Sequence, residues 1–240
     1  MKNNLSIIVI ARNEEENISR IIRGLLGQYD SEIMELIVVD DVSTDQTVLL
    51  AEAWAKKDVR IKIARRLPPW GAGRALKTGF AYINPSSEFV LIMDSDFVEN
   101  IEEIRRLIRA VDECGYDGVI GSRFIKGSRM KLYPLPKRIM NRLFHLIVKA
   151  LFNIKQNDLT NNFKLYKADI FRKLPWRSHY FSLNAETGLL PILWGYKIGE
   201  VPVSWVGRQH DMGRSKFSLI RFGWGYIGVI FYAWQFRRKG

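Results

Sequence analysis

The feature that most limits the fold of this chain is a regular alternation of short apolar runs with longer stretches of helical period. LSIIVIA (5–11), MELIVVDD (34–41), RIKIAR (60–65), EFVLIMD (88–94) and DGVIGSR (117–123) read as strands. Between them lie amphipathic segments, among them one carrying Ile18, Ile21, Ile22, Leu25 and Leu26 and another carrying Ile101, Ile104, Leu107, Ile108 and Val111, at the spacing of one helix face. Strands that are apolar throughout, rather than at every second residue, must be covered on both faces. Separated by helices, they predict an α/β fold: a mostly parallel, Rossmann-like sheet with helices on both sides. In such sheets ligands bind beyond the carboxyl ends of the strands.

Two acidic pairs fall at those ends, Asp40/Asp41 and Asp94/Asp96. Residues two apart in an extended segment share a face, so Asp94 and Asp96 point the same way and repel each other unless a cation relieves them. Asp and Ser also suit a solvated turn at a strand end. The placement of both pairs favours a site, in which a divalent cation would hold a diphosphate. Hard oxygen ligands select Mg²⁺ or Mn²⁺ over zinc. Asp40 could accept hydrogen bonds from a base or ribose, and Asp41 could equally cap the next turn. Gly71 and Gly73 precede a helix that could receive an anion, but WGAGRALKTGF has neither the ending of a P-loop nor the spacing of a dinucleotide fingerprint.

The later half is less regular. FIKGSRMKLYPLPKR (124–138) reads as a substrate-covering loop ahead of an apolar and basic helix over 137–152. A strand near 161–168, a helix over 184–194 and a strand over 196–206 follow. The segment 222–236, rich in aromatics and trailed by RRKG, reads as a terminal helix that either lies in a membrane interface or packs on the body. The expected division is a catalytic unit over 1–215 and an attachment helix over 216–240. No segment has the length of a membrane span, and the N-terminal apolar run is too short for a signal peptide. Net charge is +12, which favours a polyanionic partner without choosing among them. Cys114 is the only cysteine and reads as a small buried hydrophobe. His145, His179 and His210 are not spaced as a metal set.

Together SIIVIARNEEENI, ELIVVDDVSTDQT, GAGRALKTGF, FVLIMDSDF, GVIGSRF and GYKIGEVPVSWVGRQHDMGRSKF resemble, in order and spacing, family 2 glycosyltransferases of GT-A fold. The subgroup they resemble is that of dolichol-phosphate mannosyltransferase and related polyprenyl-phosphate enzymes. The resemblance implies inverting, metal-dependent transfer of a hexose, mannose or glucose, from a nucleotide-diphosphate sugar to a polyprenyl phosphate at the cytoplasmic face of a membrane. It implies a peripheral protein, with room for a membrane-protein partner and no role for nucleic acid. Carried over by position, Asn13, Glu14, Asp40, Asp41, Lys77 and Asp94 would bind the donor, and Asp94 and Asp96 the metal. Asp96, Arg123, Arg208 and Lys216 would serve the chemistry, and Lys137, Arg138 and Ser215 the acceptor phosphate. Asp158 matches a position near the acceptor, and Glu186 an acidic position that could equally take part in the chemistry or orient Arg208 or a loop.

The chain departs from the pattern in places. The usual DDGS is DDVS, so Val42 is expected to avoid the positive φ that glycine tolerates. Val98 replaces a glutamine near the metal, with Glu99 as a possible substitute, and Ile10 and Arg12 replace a proline and a tyrosine. Transfer to a soluble or polymeric glycan is the alternative function, and binding of a nucleotide sugar without turnover a second. A sugar nucleotidyltransferase would carry a Gly- and Arg-rich loop where this chain has IARNEEEN. A nucleic-acid binder would suit the charge but not the acidic pairs.

Overall fold

The fold is that of a computed structural model describing residues 2–206 and 219–237. The expected strands and helices form in order, with ends shifted by a few residues: β1 (Leu5–Ala11), α1 (Ile18–Tyr29), β2 (Ile33–Asp40), α2 (Thr47–Ala55), β3 (Ile61–Arg65), α3 (Ala72–Tyr82) and β4 (Phe89–Asp94). A 3-10 turn (Val98–Glu103) then leads into α4 (Ile104–Cys114) and β5 (Gly118–Ser122). Beyond it come β6 (Met130–Lys131), α5 (Leu135–Phe152), β7 (Lys164–Lys167), α6 (Ala168–Lys173), α7 (Leu183–Leu193), β8 (Ile198–Pro202), β9 (Trp205–Val206) and α8 (Leu219–Arg237).

Among the described residues the main sheet has the order β3-β2-β1-β4-β7-β5-β8. Each pairing is parallel except the two made by β7. Strands β1, β2 and β4 are buried almost without interruption, and the core lies in a layer on either face. One layer packs Ile18, Ile21, Ile22 and Leu25 of α1 with Ile104, Leu107 and Val111 of α4. The other joins Leu76 and Phe80 of α3 to Leu189 and Leu190 of α7 and to Tyr232 and Ala233 of α8. The C-terminal helix therefore packs on the body through one face. Strands β6 and β9 form a separate small parallel pair, so the long strand expected over 196–206 is divided between two sheets.

Register sets the level of the functional rim. Ala11 pairs with Asp40 and Ile10 with Asp94, so the ends of β1, β2 and β4 meet at one edge. On the far side of β4, Ile92 pairs antiparallel with Lys164, and the same register extended two residues past the ladder brings Asn162 level with Asp94. The Asn162 amide accordingly donates to Asp94 Oδ1 at 2.7 Å.

Two expectations are corrected. Cys114 is exposed, because it is the last residue of α4, where Gly115 in a left-handed conformation turns the chain out of the helix. Val42 adopts φ of +64°. The turn after β2 needs a left-handed residue, because Asp40 accepts the Ser43 backbone N–H at 3.2 Å and draws the chain back on itself. A β-branched residue there is strained by about 1–3 kcal/mol. Glycine would relieve that strain at a smaller entropic cost, so Val42→Gly is expected to raise unfolding stability by about 1 kcal/mol in urea titration. A loss of stability would contradict the strain.

Candidate active site

A cavity of about 600 Å³ opens at the carboxyl edge of the sheet. Its floor holds Asp94, Ser95 and Asp96 at the end of β4. One wall comes from the loops after β1 and β2 and the start of α3, with Arg12, Glu14, Asp41 and Trp70. The opposite wall comes from the segment around α5 and from α8, with Arg123, Tyr133, Lys137, Asn141 and Tyr226.

The strand-side wall is stiffly built. Glu14 is buried and accepts the Asn17 side-chain amide at 2.7 Å, while its own backbone N–H donates to Thr47 Oγ1. Asn13, at φ of +50°, lies outside the cavity and joins two loops: its N–H donates to Ser43 Oγ at 2.9 Å, and its Oδ1 accepts the Thr44 N–H at 2.8 Å. Asparagine tolerates that conformation well. The neighbouring aspartates divide their work. Asp40 caps the turn after β2, and Asp41 enters the cavity wall, paired with Arg66 and accepting the Gly71 N–H at 2.8 Å. Of the two assignments open for Asp41 in the sequence, the structure gives capping to Asp40 instead. Arg12 lies over the Trp70 ring, 4.1 Å from its centroid, and Tyr180 braces Trp70 edge-on at 5.7 Å.

Lys77 is not brought to this wall. Successive helical residues are about 100° apart, so Ala72 and Ala75 face the cavity while Lys77 turns away. Its ammonium donates to the Arg177 carbonyl at 3.2 Å and sits 3.1 Å from His179 Nδ1, and burial lowers its pKa. Glu186 also works away from the cavity, accepting the backbone N–H groups of Arg177 and Ser178 at 2.8 Å each. That agrees with its loop-orienting alternative. Gly71 and Gly73 serve packing, since a Cβ on either would meet the backbone of His179 or Tyr180 at 2.4–2.7 Å.

The helix-side wall rests on a buried ion pair. Arg123 donates from Nε and Nη2 to the two carboxylate oxygens of Asp158 at 2.7 and 2.8 Å, and its backbone N–H bonds the same group at 2.9 Å. Burial pulls the Arg123 pKa down, but the Asp158 charge outweighs it and the guanidinium stays protonated; burial pushes Asp158 up, and Arg123 holds it below the usual range. Arg123 thus lines the cavity with its Nε and one of its terminal nitrogens already bonded to Asp158. Its Nη2 also reaches Thr160 Oγ1 at 3.2 Å. His145 of α5 supports the pair from behind. Its Nε2 accepts the Leu159 N–H at 2.7 Å, which assigns the proton to Nδ1, donating to the Asn141 carbonyl. Burial lowers its pKa, so the ring is neutral.

Lys137 faces inward, its ammonium 5.5 Å from the Tyr133 ring centroid and 5.8 Å from that of Trp205. Arg138, one position on, is exposed and outside the cavity. Glu99 is paired with Arg20 at 3.1 Å, and neither it nor Val98 lines the cavity. Arg208, Ser215, Lys216 and His210 lie outside the described residues. No cluster of three or more His, Cys, Asp or Glu suited to a metal occurs among the described residues. A cation here would have Asp94 and Asp96 as its protein ligands, with substrate oxygens and water completing the shell. That donor set fits Mg²⁺ or Mn²⁺.

Sequence reasoning passed over Trp70, Tyr133, Asn141, Thr160, Asn162 and Tyr226 as wall residues. A polar run such as NDLTNNF ahead of an apolar strand was the available signal for Thr160 and Asn162.

With this geometry in hand, comparison with known proteins identifies the class. The family model described as Glycosyl transferase family 2 matches residues 6–175, and the chain belongs to that family. It is therefore a glycosyltransferase, and its fold is GT-A. The polyprenol monophosphomannose synthase of Mycolicibacterium smegmatis is 28% identical over 220 residues, covering 90% of this chain and 82% of that protein. The undecaprenyl-phosphate mannosyltransferase of Micrococcus luteus is 28% identical over 188 residues, 77% of this chain and 76% of its own. Among solved structures, glucosyl-3-phosphoglycerate synthase of Mycobacterium tuberculosis with Mn²⁺, UDP-glucose and phosphoglyceric acid superposes with a TM-score of 0.72 at 20% identity. That alignment covers 98% of this chain and 79% of the other.

Beneath the floor, Lys164 is fully buried and donates to the Asn184 carbonyl at 2.8 Å and to Thr187 Oγ1 at 2.9 Å. Burial brings its pKa from 10.5 down to about 7. Between those values the unfolded chain keeps a proton that the folded chain sheds, so stability climbs with pH across that window; below about 7 the penalty of the buried charge is complete. Lys164→Met is therefore expected to raise the melting temperature more at pH 6 than at pH 9. An equal gain at both would show that Lys164 does not titrate in this way.

Proposed function

We propose that the protein transfers a hexose from a nucleotide-diphosphate sugar to a polyprenyl phosphate at a membrane surface. The observation that carries the reading is the cavity's division: an acidic floor at Asp94 and Asp96 separates a rigid polar wall from one built on α5. The wall at Arg12, Glu14, Asp41 and Trp70 suits the donor's nucleoside, offering a ring to stack on and a carboxylate to accept hydrogen bonds. The floor suits its diphosphate. The wall at Lys137, Asn141 and Tyr133 suits the acceptor phosphate, with Lys137 as its cation and Arg123 holding the surroundings in place.

The names of the two curated relatives support a polyprenyl-phosphate acceptor and mannose. The structural neighbour, which carries UDP-glucose and a phosphorylated small acid, supports a nucleotide-sugar donor and leaves a soluble acceptor as the rival reading. An acceptor-phosphate oxygen would attack the anomeric carbon while the bond to the nucleoside diphosphate breaks on the opposite face, inverting the centre. A lipid phosphate is already anionic near neutral pH, so no side chain need remove a proton. Positioning and charge neutralisation can carry the rate. A divalent ion at Asp94 and Asp96 would neutralise charge on the departing diphosphate. Arg208, Ser215 and Lys216 belong to this proposal by resemblance, as closing residues over the phosphates. The membrane placement makes the protein peripheral on the cytoplasmic face, with α8 as its attachment element. Among the described residues no helix is long and apolar enough to cross a membrane.

The test is a partition assay with Mg²⁺ or Mn²⁺, a short polyprenyl phosphate, and labelled GDP-mannose, UDP-glucose or UDP-N-acetylglucosamine. Label is expected in the organic phase with one donor and is lost with chelator. Nucleotide binding without lipid labelling would sink the acceptor assignment and favour a soluble one. In the same assay Asp94→Asn is expected to cut transfer by about 100-fold or more with an unchanged circular dichroism spectrum. Near-normal turnover by that variant would remove the metal role.

A further inference from the structure

The outward faces of α5 and α8 are apolar where a helix facing water is ordinarily polar. On α5, Leu135, Ile139, Leu143 and Leu146 are exposed at helical spacing, with Met140, Ile147 and Leu151 beside them; Leu146 is 66% exposed. On α8, Trp224, Ile227, Phe231 and Trp234 are exposed, Trp224 to 79%. The helices lie side by side. The rings of Phe144 and Tyr226 are 5.4 Å apart at the middle of α5, and Arg237 Nη1 donates to the Leu151 carbonyl at 3.0 Å near its C-terminal end. Apolar residues gathered on two adjoining helices go beyond the scattered exposure of an ordinary surface and mark a place where something binds.

Charge indicates what binds there. From Phe124 to Asn157 the chain has eight Lys or Arg and no Asp or Glu, and α8 has no acidic residue either. Arg138, Arg142 and Arg237 are exposed on the same helices. Aromatic and aliphatic side chains with cations of one sign suit an anionic lipid surface. A nucleic acid would match the cations and leave the leucines and tryptophans in water.

The same helices close the cavity from within. Lys137 and Asn141 of α5 and Tyr226 of α8 line it, and the Tyr226 hydroxyl donates to the Phe181 carbonyl at 3.3 Å. We infer that α5 and α8 dock together on an anionic bilayer, and that docking sets the helix-side wall, so that the site reaches full competence only on a membrane. The docking surface stands on its own observations; the gain in transfer rests on the acceptor assignment above. Lipid can favour one arrangement of the two helices only by binding it better than others. Side-by-side helices bury both apolar faces at once, whereas separated ones bury fewer.

The experiment combines flotation with kinetics. Vesicles of phosphatidylcholine with phosphatidylglycerol, free of acceptor, are added to the full chain with its nucleotide-sugar donor and a water-soluble short prenyl phosphate. The protein is expected to float with these vesicles and not with phosphatidylcholine alone. Transfer is expected to rise by about fivefold or more. The double variant Leu146→Glu, Phe231→Glu should lose both effects and keep its vesicle-free rate. Failure to float overturns the lipid as occupant, and flotation without a change in rate overturns the coupling. If the chain floats yet transfers to no prenyl phosphate, the acceptor assignment has failed. The coupling is then read from amide exchange over residues 133–141 and around Tyr226, where slowing on vesicles supports it and unchanged exchange overturns it.

Discussion

The site depends on one reversal of strand direction. A parallel strand ends at the carboxyl edge of the sheet, so it brings only its last residues and the loop that follows. An antiparallel strand starts there, so the loop that precedes it is delivered to the same edge. By entering between β4 and β5, β7 places residues 157–163 beside the ends of both. Asn162 reaches Asp94, Asn161 bonds the Gly121 carbonyl at 2.7 Å, and Asp158 reaches Arg123. The amide that braces the acidic floor and the buried ion pair are thus consequences of one topological choice.

That ion pair is better understood as a positioning device than as a source of stability. Removing two charges from water is expensive, and their attraction at best repays it when every remaining lone pair and proton finds a partner. Here the partners are supplied from several elements. Glu200 of β8 accepts the Asn157 and Asp158 N–H groups at 2.8 and 2.9 Å, and His145 of α5 accepts that of Leu159. The 157–159 segment is therefore tied at once to the sheet and to the helix bearing Lys137 and Asn141. Loss of one charge would leave the other buried and uncompensated, at a cost of about 3–5 kcal/mol. The geometry is held by that penalty.

Much of this was legible in the chain because local rules and tertiary needs coincide in its first half. Strands β1 to β5 are continuous apolar runs whose burial on both faces leaves few alternatives, and Asp94 and Asp96 stand at the end of one of them. The reading was weaker where function depends on which side of an element a residue faces. Lys77 and Arg138 sit in segments that border the cavity, but a step of one or two positions along the helix turns both away from its lining. The ion pair of Arg123 was not legible, since its partner Asp158 lies 35 positions along the chain. Val42 shows a further limit of local rules. Propensity argues against a positive φ for valine, yet the Asp40 cap and the neighbouring loops impose it.

The two walls of the cavity also differ in physical character. The strand-side wall is fastened by backbone hydrogen bonds between loops at the ends of buried strands, as in Asn13 to Thr44 and Asp41 to Gly71. Such a wall can hold a rigid, polar molecule arriving from water in one orientation. The opposite wall is carried by helices packed through a single face: α5 buries His145, Val148 and Phe152 and leaves its aliphatic side outward. An apolar face left in water forgoes roughly 25 cal/mol for every Å² it could bury. A chain that keeps such a face directly behind its cavity has built one side of the site from elements whose most favourable surroundings are not aqueous. Under the proposed function, donor and acceptor need share no common phase, because they would meet at the carboxylates from opposite sides.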